Sequence, residues 1–280
     1  MGVDRGVPYA DSHLRAVTAR LADPNYLPFM HLGEFEASAD TDTSISPSAF
    51  EHAQRVLAEN TLALASPFPR ADVVEVGCGF GGNLAALCNK YELCRVAGLD
   101  IHPGQIEIAK QIVSRYAGPG MDLRVGDAIQ MPWTNQSFDI VLAIECAFHF
   151  ASRLAFAREA VRVLRPGGRL VLTDIVTREP EALGAESWLK TVLQTELDPV
   201  PDLLCSEGDW ATIAASVGFI EAHREDISRA VAPSFQFILK DKPRDIHLLH
   251  DRNDRGAFAL ATAMERGWLH LERWAFVAPS

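Results

Sequence analysis

Residues 73–87, VVEVGCGFGGNLAAL, set an apolar β-branched run directly before a cluster of glycines and an apolar helix-like stretch. Glycine accepts positive φ and close backbone approach without steric cost, so the segment predicts a strand, a tight turn and a helix in immediate succession. A strand that is apolar on both faces needs cover on both sides of its sheet. The remaining apolar runs supply its neighbours: RVAGLD (95–100), FDIVLAIE (138–145), RLVLTDIV (169–176) and a weaker MDLRVGD (121–127). Helix-like segments alternate with them, the pattern of an α/β fold built on a parallel sheet.

The intervening helices follow the 3.6-residue period. In 103–116, Ile106, Ala109, Val113 and Tyr116 share one face, and Glu107, Lys110, Gln111 and Arg115 the other. In 152–164, Leu154, Ala157, Val161 and Leu164 form the expected buried stripe behind a Ser152 N-cap, and RPGG stops the helix before the next strand. FIEAHREDI (219–227) and ERWAFVAP (272–279) read as two more strands, which brings the sheet to seven. Near the N-terminus one helix-like piece ends at Leu21, and SPSAFEHAQRVLAENTLALA reads as a second helix opened by serine. The expected architecture is a Rossmann-like, doubly wound, mostly parallel seven-stranded sheet in residues 67–280, under an N-terminal helical lid in 1–66. Helical insertions are expected at about 180–215 and 229–270.

The formal net charge of −11 opposes polyanionic partners, because phosphate binding depends on clustered Lys and Arg. Nucleic acid is therefore not an expected ligand. No run approaches the ~18 apolar residues of a membrane span, and MGVDRGVPYADSHL lacks the basic head and apolar middle of a secretory signal. A cytoplasmic protein with no membrane partner is the expectation. Cys78, Cys88, Cys94, Cys146 and Cys205 are odd in number and lack C-x-x-C spacing, which points to reduced thiols. His247, His250 and Asp251 lie close together, but nothing elsewhere completes the ligand set that a metal needs, so no metal is expected.

Gly77, Gly79 and Gly82 satisfy G-x-G-x-x-G, and Asp100 ends the next strand 18 residues later, where a carboxylate can hold ribose hydroxyls. Any adenosine-bearing ligand can use this arrangement, NAD included. Two further acids argue against a pyrophosphate. Glu75 lies two residues before the first glycine and Asp127 ends the third strand in VGDA, so the pocket is acidic and suits a cation.

Four segments, EVGCGFGG, GLDIHPGQIEIA, VGDAIQMPWTNQSFDIVLAIECAFHF and LRPGGRLVLTDI, stand in an order and spacing that resembles the class I S-adenosylmethionine-dependent methyltransferases. More narrowly, they resemble the small-molecule group that contains natural-product sugar O-methyltransferases and tocopherol-type C-methyltransferases. The likeness spans about residues 70–180, and MHLGEF (30–35) is similar to a short motif that many of these enzymes place over the cofactor. The resemblance implies S-adenosyl-L-methionine as cofactor and S-adenosyl-L-homocysteine as product. It implies that Gly77, Cys78 and Gly79 pack against the methionine moiety with Glu75 in support. Asp100 and Gln105 would serve the ribose, Ile101 would flank the adenine, and Asp127 with the backbone of Ala128 would bind the adenine edge.

Methyl transfer is an in-line displacement in which much of the catalysis is positioning, and an oxygen or nitrogen acceptor must also lose a proton. AIECAFHF (143–150) ends the fourth strand with Glu145, Cys146 and His149, at the sheet edge where open α/β sheets bind ligands. His149 is the candidate general base, with Asp174 on the neighbouring fifth strand as its partner. Glu145 is expected on the cofactor side. Cys146 is expected to pack, since no basic neighbour lowers its thiol pKa. Trp133, Trp188, Trp210, Phe235 and Phe237 are candidates for an apolar acceptor pocket. The expected activity is methyl transfer to a hydroxyl of a bulky small-molecule acceptor, with C- or N-methylation as runner-up. An NAD-dependent oxidoreductase, or a protein of this fold that catalyses cyclisation or only binds, are the readings from other classes. A homodimer is the candidate assembly.

Overall fold

The computed structural model describes residues 10–36, 44–66, 69–178, 187–196 and 209–280. Cys205 and parts of the insertion expected at 180–215 lie outside the described residues. Strands β1 (Asp72–Val76), β2 (Arg95–Asp100), β3 (Met121–Val125), β4 (Phe138–Ile144), β5 (Leu164–Thr177), β6 (Ile220–Asp226) and β7 (Leu269–Val277) form one sheet in the order β3-β2-β1-β4-β5-β7-β6. The first five in that order pair in parallel, and β7 is antiparallel to both of its neighbours. The chain thus forms the mostly parallel seven-stranded sheet expected of it.

The helices of the described residues are α1 (Ala10–Thr18), α2 (Pro47–Leu64), α3 (Gly82–Lys90), α4 (Pro103–Val113), α5 (Arg153–Val163), α6 (Ser187–Glu196), α7 (Trp210–Ser216), α8 (Ser228–Val231), α9 (Pro233–Ile238) and α10 (Arg252–Glu265). None is long and apolar enough to cross a membrane. Successive strand side chains point to opposite faces, so each run of consecutive apolar residues feeds two cores. Val73, Ile140, Leu142 and Val171 pack on one side with Leu57 and Leu62 of α2, Leu189 and Leu193 of α6 and Ala259 and Ala263 of α10. Val74, Val76, Val141, Ala143, Leu170 and Leu172 pack on the other with Phe156 and Ala160 of α5 and Trp210 and Ile213 of α7.

Two elements differ from the sequence expectation. Helix α2, opened by Ser46 accepting the N–H of Ala49 at 3.2 Å, was expected within a lid but is a full member of the first core. What lies over the glycine turn after β1 is a strap, residues 24–36, with neither helix nor strand. In α5 the buried stripe is Arg153, Phe156, Ala157, Ala160 and Val163, with Leu154 and Val161 at its margin. The helix is rotated because Phe156 stands edge-on to both Phe150 and Trp210, and because Arg153 turns inward to a buried acid. The Ser152 N-cap is as expected, accepting the N–H of Ala155 at 3.0 Å. In α4, Ile106, Ala109 and Val113 are buried, as the period predicts.

The chain leaves β1 for β2 and β3, then returns to place β4 on the other side of β1. That reversal opens a crevice beyond the carboxyl ends of β1 and β4, where ligands of doubly wound sheets bind. Leu57→Ala is expected to lower the unfolding free energy by about 2–5 kcal/mol, read from chemical denaturation. A helix that merely lay over the domain would show a loss well below that range.

Candidate active site

The first wall of the crevice is the turn after β1. Gly77, Gly79 and Gly81 have φ of +62°, +51° and +80°, a region where side chains are strained. Space closes the same positions. A Cβ on Gly77 would lie 2.6 Å from the Cβ of Cys146, and one on Gly82 would lie 2.6 Å from the backbone oxygen of Pro28 in the strap. Beneath this turn is Glu75, 1% exposed. Its Oε1 accepts Nδ2 of Asn83 at 2.8 Å, while its Oε2 is buried and accepts no hydrogen bond. Burial pushes this carboxyl up to about 8, against the lowering effect of Asn83.

The tips of β2 and β3 supply the other acids. Asp100 accepts the N–H of Gly79 on Oδ2 and that of His102 on Oδ1, both at 2.9 Å, and burial raises its pKa. The next residue, Ile101, is 40% exposed. Gln105 is buried in the first turn of α4, behind the N-cap His102. After β3, Oδ1 of Asp127 accepts the N–H of Ile129 at 3.1 Å, a turn that brackets the buried Ala128.

The strap covers the glycine turn and is fastened along its length. A Cβ on Gly79 would meet Met30 at 3.3 Å, and one on Gly33 would strike the Cβ of Ala53 in α2 at 2.7 Å. Glu34 N–H donates to Ala53 O, Phe35 N–H donates to Ala230 O, and Gly33 N–H donates to the Ser234 hydroxyl, each at 2.9 Å. Inside the strap, His31 contacts Asn83 through Nε2 at 3.0 Å and the carbonyl of Leu32 through Nδ1 at 2.8 Å.

Glu145 follows β4 with φ +47°, unusual for a side-chain-bearing residue. Its N–H is shared by the carbonyl and hydroxyl oxygens of Thr173 at 3.0 Å each. Its Oε1 accepts the N–H of Leu32 at 3.0 Å, so the bond observed from this carboxyl is to the strap. Burial pushes Glu145 up to about 8. Cys146 packs against Gly77 and directs its thiol to the carbonyl of Val76 at 3.2 Å; burial raises its pKa well above the usual thiol value. A short 3-10 turn, Ala147–His149, then places His149 half-buried beside Phe148, with its N–H donating to Cys146 O at 3.0 Å.

The pairing of Asp174 with His149 requires correction. Asp174 is fully buried, and its Oδ2 accepts both Nε of Arg153 at 2.6 Å and Nε1 of Trp210 at 2.8 Å, while Oδ1 faces the N–H of Ile175. Its charge is met by a guanidinium in the second core. The aromatic candidates separate in the same way. Trp210 serves Asp174, Trp133 is buried with Nε1 on Asp122, Phe235 is buried, and Phe237 stacks on Phe50 at 4.4 Å. Trp188 lines a surface cavity of about 260 Å³ between α6 and α10, away from the residues of the glycine turn.

Sequence reasoning did not single out Asn83, Thr173 or Arg153. Asn83 had a visible signal, a polar residue in the first helical turn after the glycines, eight residues past Glu75. The partners of Arg153 lie too far along the chain for spacing to show them.

A doubly wound sheet with a glycine turn after β1 and acids near the tips of β1, β2 and β3 is the arrangement with which α/β proteins bind adenosine-bearing ligands. Comparison with known proteins narrows this. The Methyltransferase domain family matches residues 74–172. Probable tocopherol O-methyltransferase of Oryza sativa subsp. japonica is 30% identical over 75% of this chain and 59% of its own length. An O-methyltransferase of Pyrenophora dematioidea is 28% identical over 82% of this chain and 80% of its own. Relatives of similar rank are named as N-methyltransferases. The chain spans 59% of the length of each of the first two curated relatives. Among solved structures, mycolic acid cyclopropane synthase with S-adenosylhomocysteine superposes with a TM-score of 0.75 at 18% identity, over 97% of this chain and 95% of that one, a likeness of fold. Residues 74–172 thus match the Methyltransferase domain family, and the fold is that of proteins solved with S-adenosylmethionine or S-adenosylhomocysteine. The buried, unmatched Oε2 of Glu75 fits the cationic methionine end of S-adenosylmethionine.

Two outcomes are expected. Because Glu75 keeps in the folded state a proton that an ordinary carboxyl loses near pH 4.5, it destabilises the cofactor-free protein increasingly as pH rises towards about 8. Glu75→Gln therefore raises stability relative to the parent more at pH 8 than at pH 5, measured by thermal unfolding at both. Arg153→Met leaves the Asp174 carboxylate buried without its cation and lowers unfolding free energy by about 3–5 kcal/mol. In the folded fraction of that variant, affinity for S-adenosylhomocysteine stays at the parent value.

Proposed function

We propose that the chain transfers the methyl group of S-adenosylmethionine to a hydroxyl of a bulky small-molecule acceptor, with His149 as general base. The observation that carries this is the position of His149. Cys146 lies against Gly77 of the cofactor loop, and the 3-10 turn that ends at His149 begins there. An imidazole one short turn from that loop has the reach needed to take a proton from an acceptor aligned with the methyl group. When bound, the cofactor supplies a methyl group activated by its sulfonium.

The chain's residues divide the remaining work. Glu75 receives the ammonium, the backbone at Gly77, Cys78 and Gly79 lies along the methionine moiety, and Asp100 with Gln105 holds the ribose. Ile101 flanks the adenine, and Asp127 with Ala128 binds its edge. Glu145 fastens the strap that excludes water. Asp174 has no part in the proton transfer, since its oxygens serve Arg153 and Trp210. The O-methyltransferase names of the rice and fungal relatives support a hydroxyl acceptor. N- or C-methylation is the alternative, the former supported by the relatives named as N-methyltransferases.

His149→Ala is expected to reduce turnover of a hydroxyl acceptor by about 10²–10⁴-fold, with S-adenosylhomocysteine affinity by calorimetry unchanged. Undiminished turnover removes His149 from the mechanism. Paired acceptors that differ only in carrying a hydroxyl or an amine decide the atom methylated.

A further inference from the structure

His31 and Asn83 are buried polar residues to which the mechanism above gives no task. Their hydrogen bonds raise a question of proton count. Both ring nitrogens of His31 face oxygens, Leu32 O at 2.8 Å and Asn83 Oδ1 at 3.0 Å, and Asn83 Nδ2 faces Glu75 Oε1 at 2.8 Å. With the amide in this orientation the two contacts of His31 are satisfied only if it carries both ring protons, while Oε1 of Glu75 accepts from Nδ2; an ionised Glu75 then balances the imidazolium charge. With the amide turned over, which preserves its shape, the contacts are satisfied by a neutral His31 and a protonated Glu75. In that arrangement the Glu75 hydroxyl donates to Oδ1, Nδ2 donates to Nε2, and Nδ1–H donates to Leu32 O. The two arrangements contain the same number of protons and the same net charge of the trio.

The surroundings decide which arrangement each state prefers. Facing Glu75 are Asn83 on α3, Asp100 at the tip of β2, and the thiols of Cys78 and Cys146, none of which is a cation. Facing His31 are Asn83, the Leu32 carbonyl and the ring of Phe29 at 5.3 Å; Glu145 bonds the neighbouring Leu32 N–H. Burial lowers His31 and raises Glu75, so without a cation both are neutral near pH 7. An ammonium at Oε2 of Glu75 reverses that preference, because it favours the carboxylate.

We propose that His31, Asn83 and Glu75 form an internal proton relay that lets the cofactor's ammonium meet an ionised Glu75 without release of a proton to solvent. In net terms the O–H bond of Glu75 is lost and the Nε2–H bond of His31 is formed. The Asn83 amide keeps both hydrogens and turns over. His31 and Asn83 are thus positioning residues, and the strap that bears His31 acquires a positive charge on its buried side when the site fills. The relay rests on the reading that Glu75 receives the ammonium.

The test is calorimetry of S-adenosylhomocysteine binding to the whole chain, in buffers of different ionisation heat. At pH 6.5 the parent is expected to exchange close to zero protons, and its affinity to change less than about twofold between pH 7.5 and 6.5. His31→Gln keeps a hydrogen-bonding side chain that cannot hold the proton. It is expected to release close to one proton and to lose nearly tenfold in affinity over that interval. A parent that releases a proton, or a His31→Gln variant that matches the parent, overturns the relay. Glu75→Gln separates the two ideas: undiminished affinity there refutes the ammonium reading itself, whereas lost affinity supports it whatever the fate of the relay. Nitrogen-15 resonances of His31 in the unmutated complex give a check that needs no variant. Two protonated ring nitrogens are expected, and a neutral ring overturns the proposal.

Discussion

Glu75 lies next to the end of β1 with its carboxyl sealed beneath the glycine turn, and a carboxylate in so dry a position is costly unless a cation or several donors meet it. Asn83 meets one oxygen only. The rest of the crevice follows from this. The glycines that let the backbone pass close above Glu75 are the same residues whose missing Cβ atoms admit Cys146 and the strap. The fold therefore holds an acid ready for a positively charged ligand, at the point where the strand order reverses. A buried acid in that place suits a cation better than the pyrophosphate of a dinucleotide.

The strap closes over the same glycine turn, with Met30 and Pro28 against Gly79 and Gly82. It is held from three directions: by Ala53 and Gln54 of α2, by Ala230 of α8 and Ser234 of α9, and by Glu145 after β4. Glu34 adds an ion pair to the buried Arg273 of β7, which also donates to Thr61 of α2. Since α2 is itself part of the first core, these fastenings tie the cover of the site to the packing of the sheet.

Much of this was legible in the sequence. Runs of consecutive apolar residues announced strands buried on both faces, and acids just beyond those runs announced the binding edge, because both signals are local. Three features were not. The face of α5 was misjudged because Arg153 counts as outward-facing by type, and only a buried acid on β5 explains its inward turn. Asp174 was paired with the wrong residue for the same reason: its true partners lie 21 and 36 residues away. Helix α2 was expected in a lid because its apolar positions, Leu57 and Leu62, do not say what they pack against.

The backbone of Glu145 carries a longer consequence. A left-handed conformation at a residue with a side chain costs about 1–2 kcal/mol, and glycine would remove that cost. Glycine would also delete the carboxyl that grips Leu32. Position 145 thus sets conformational ease against closure: a chain drifting towards greater robustness has a ready substitution here, and taking it would loosen the strap from the end of β4.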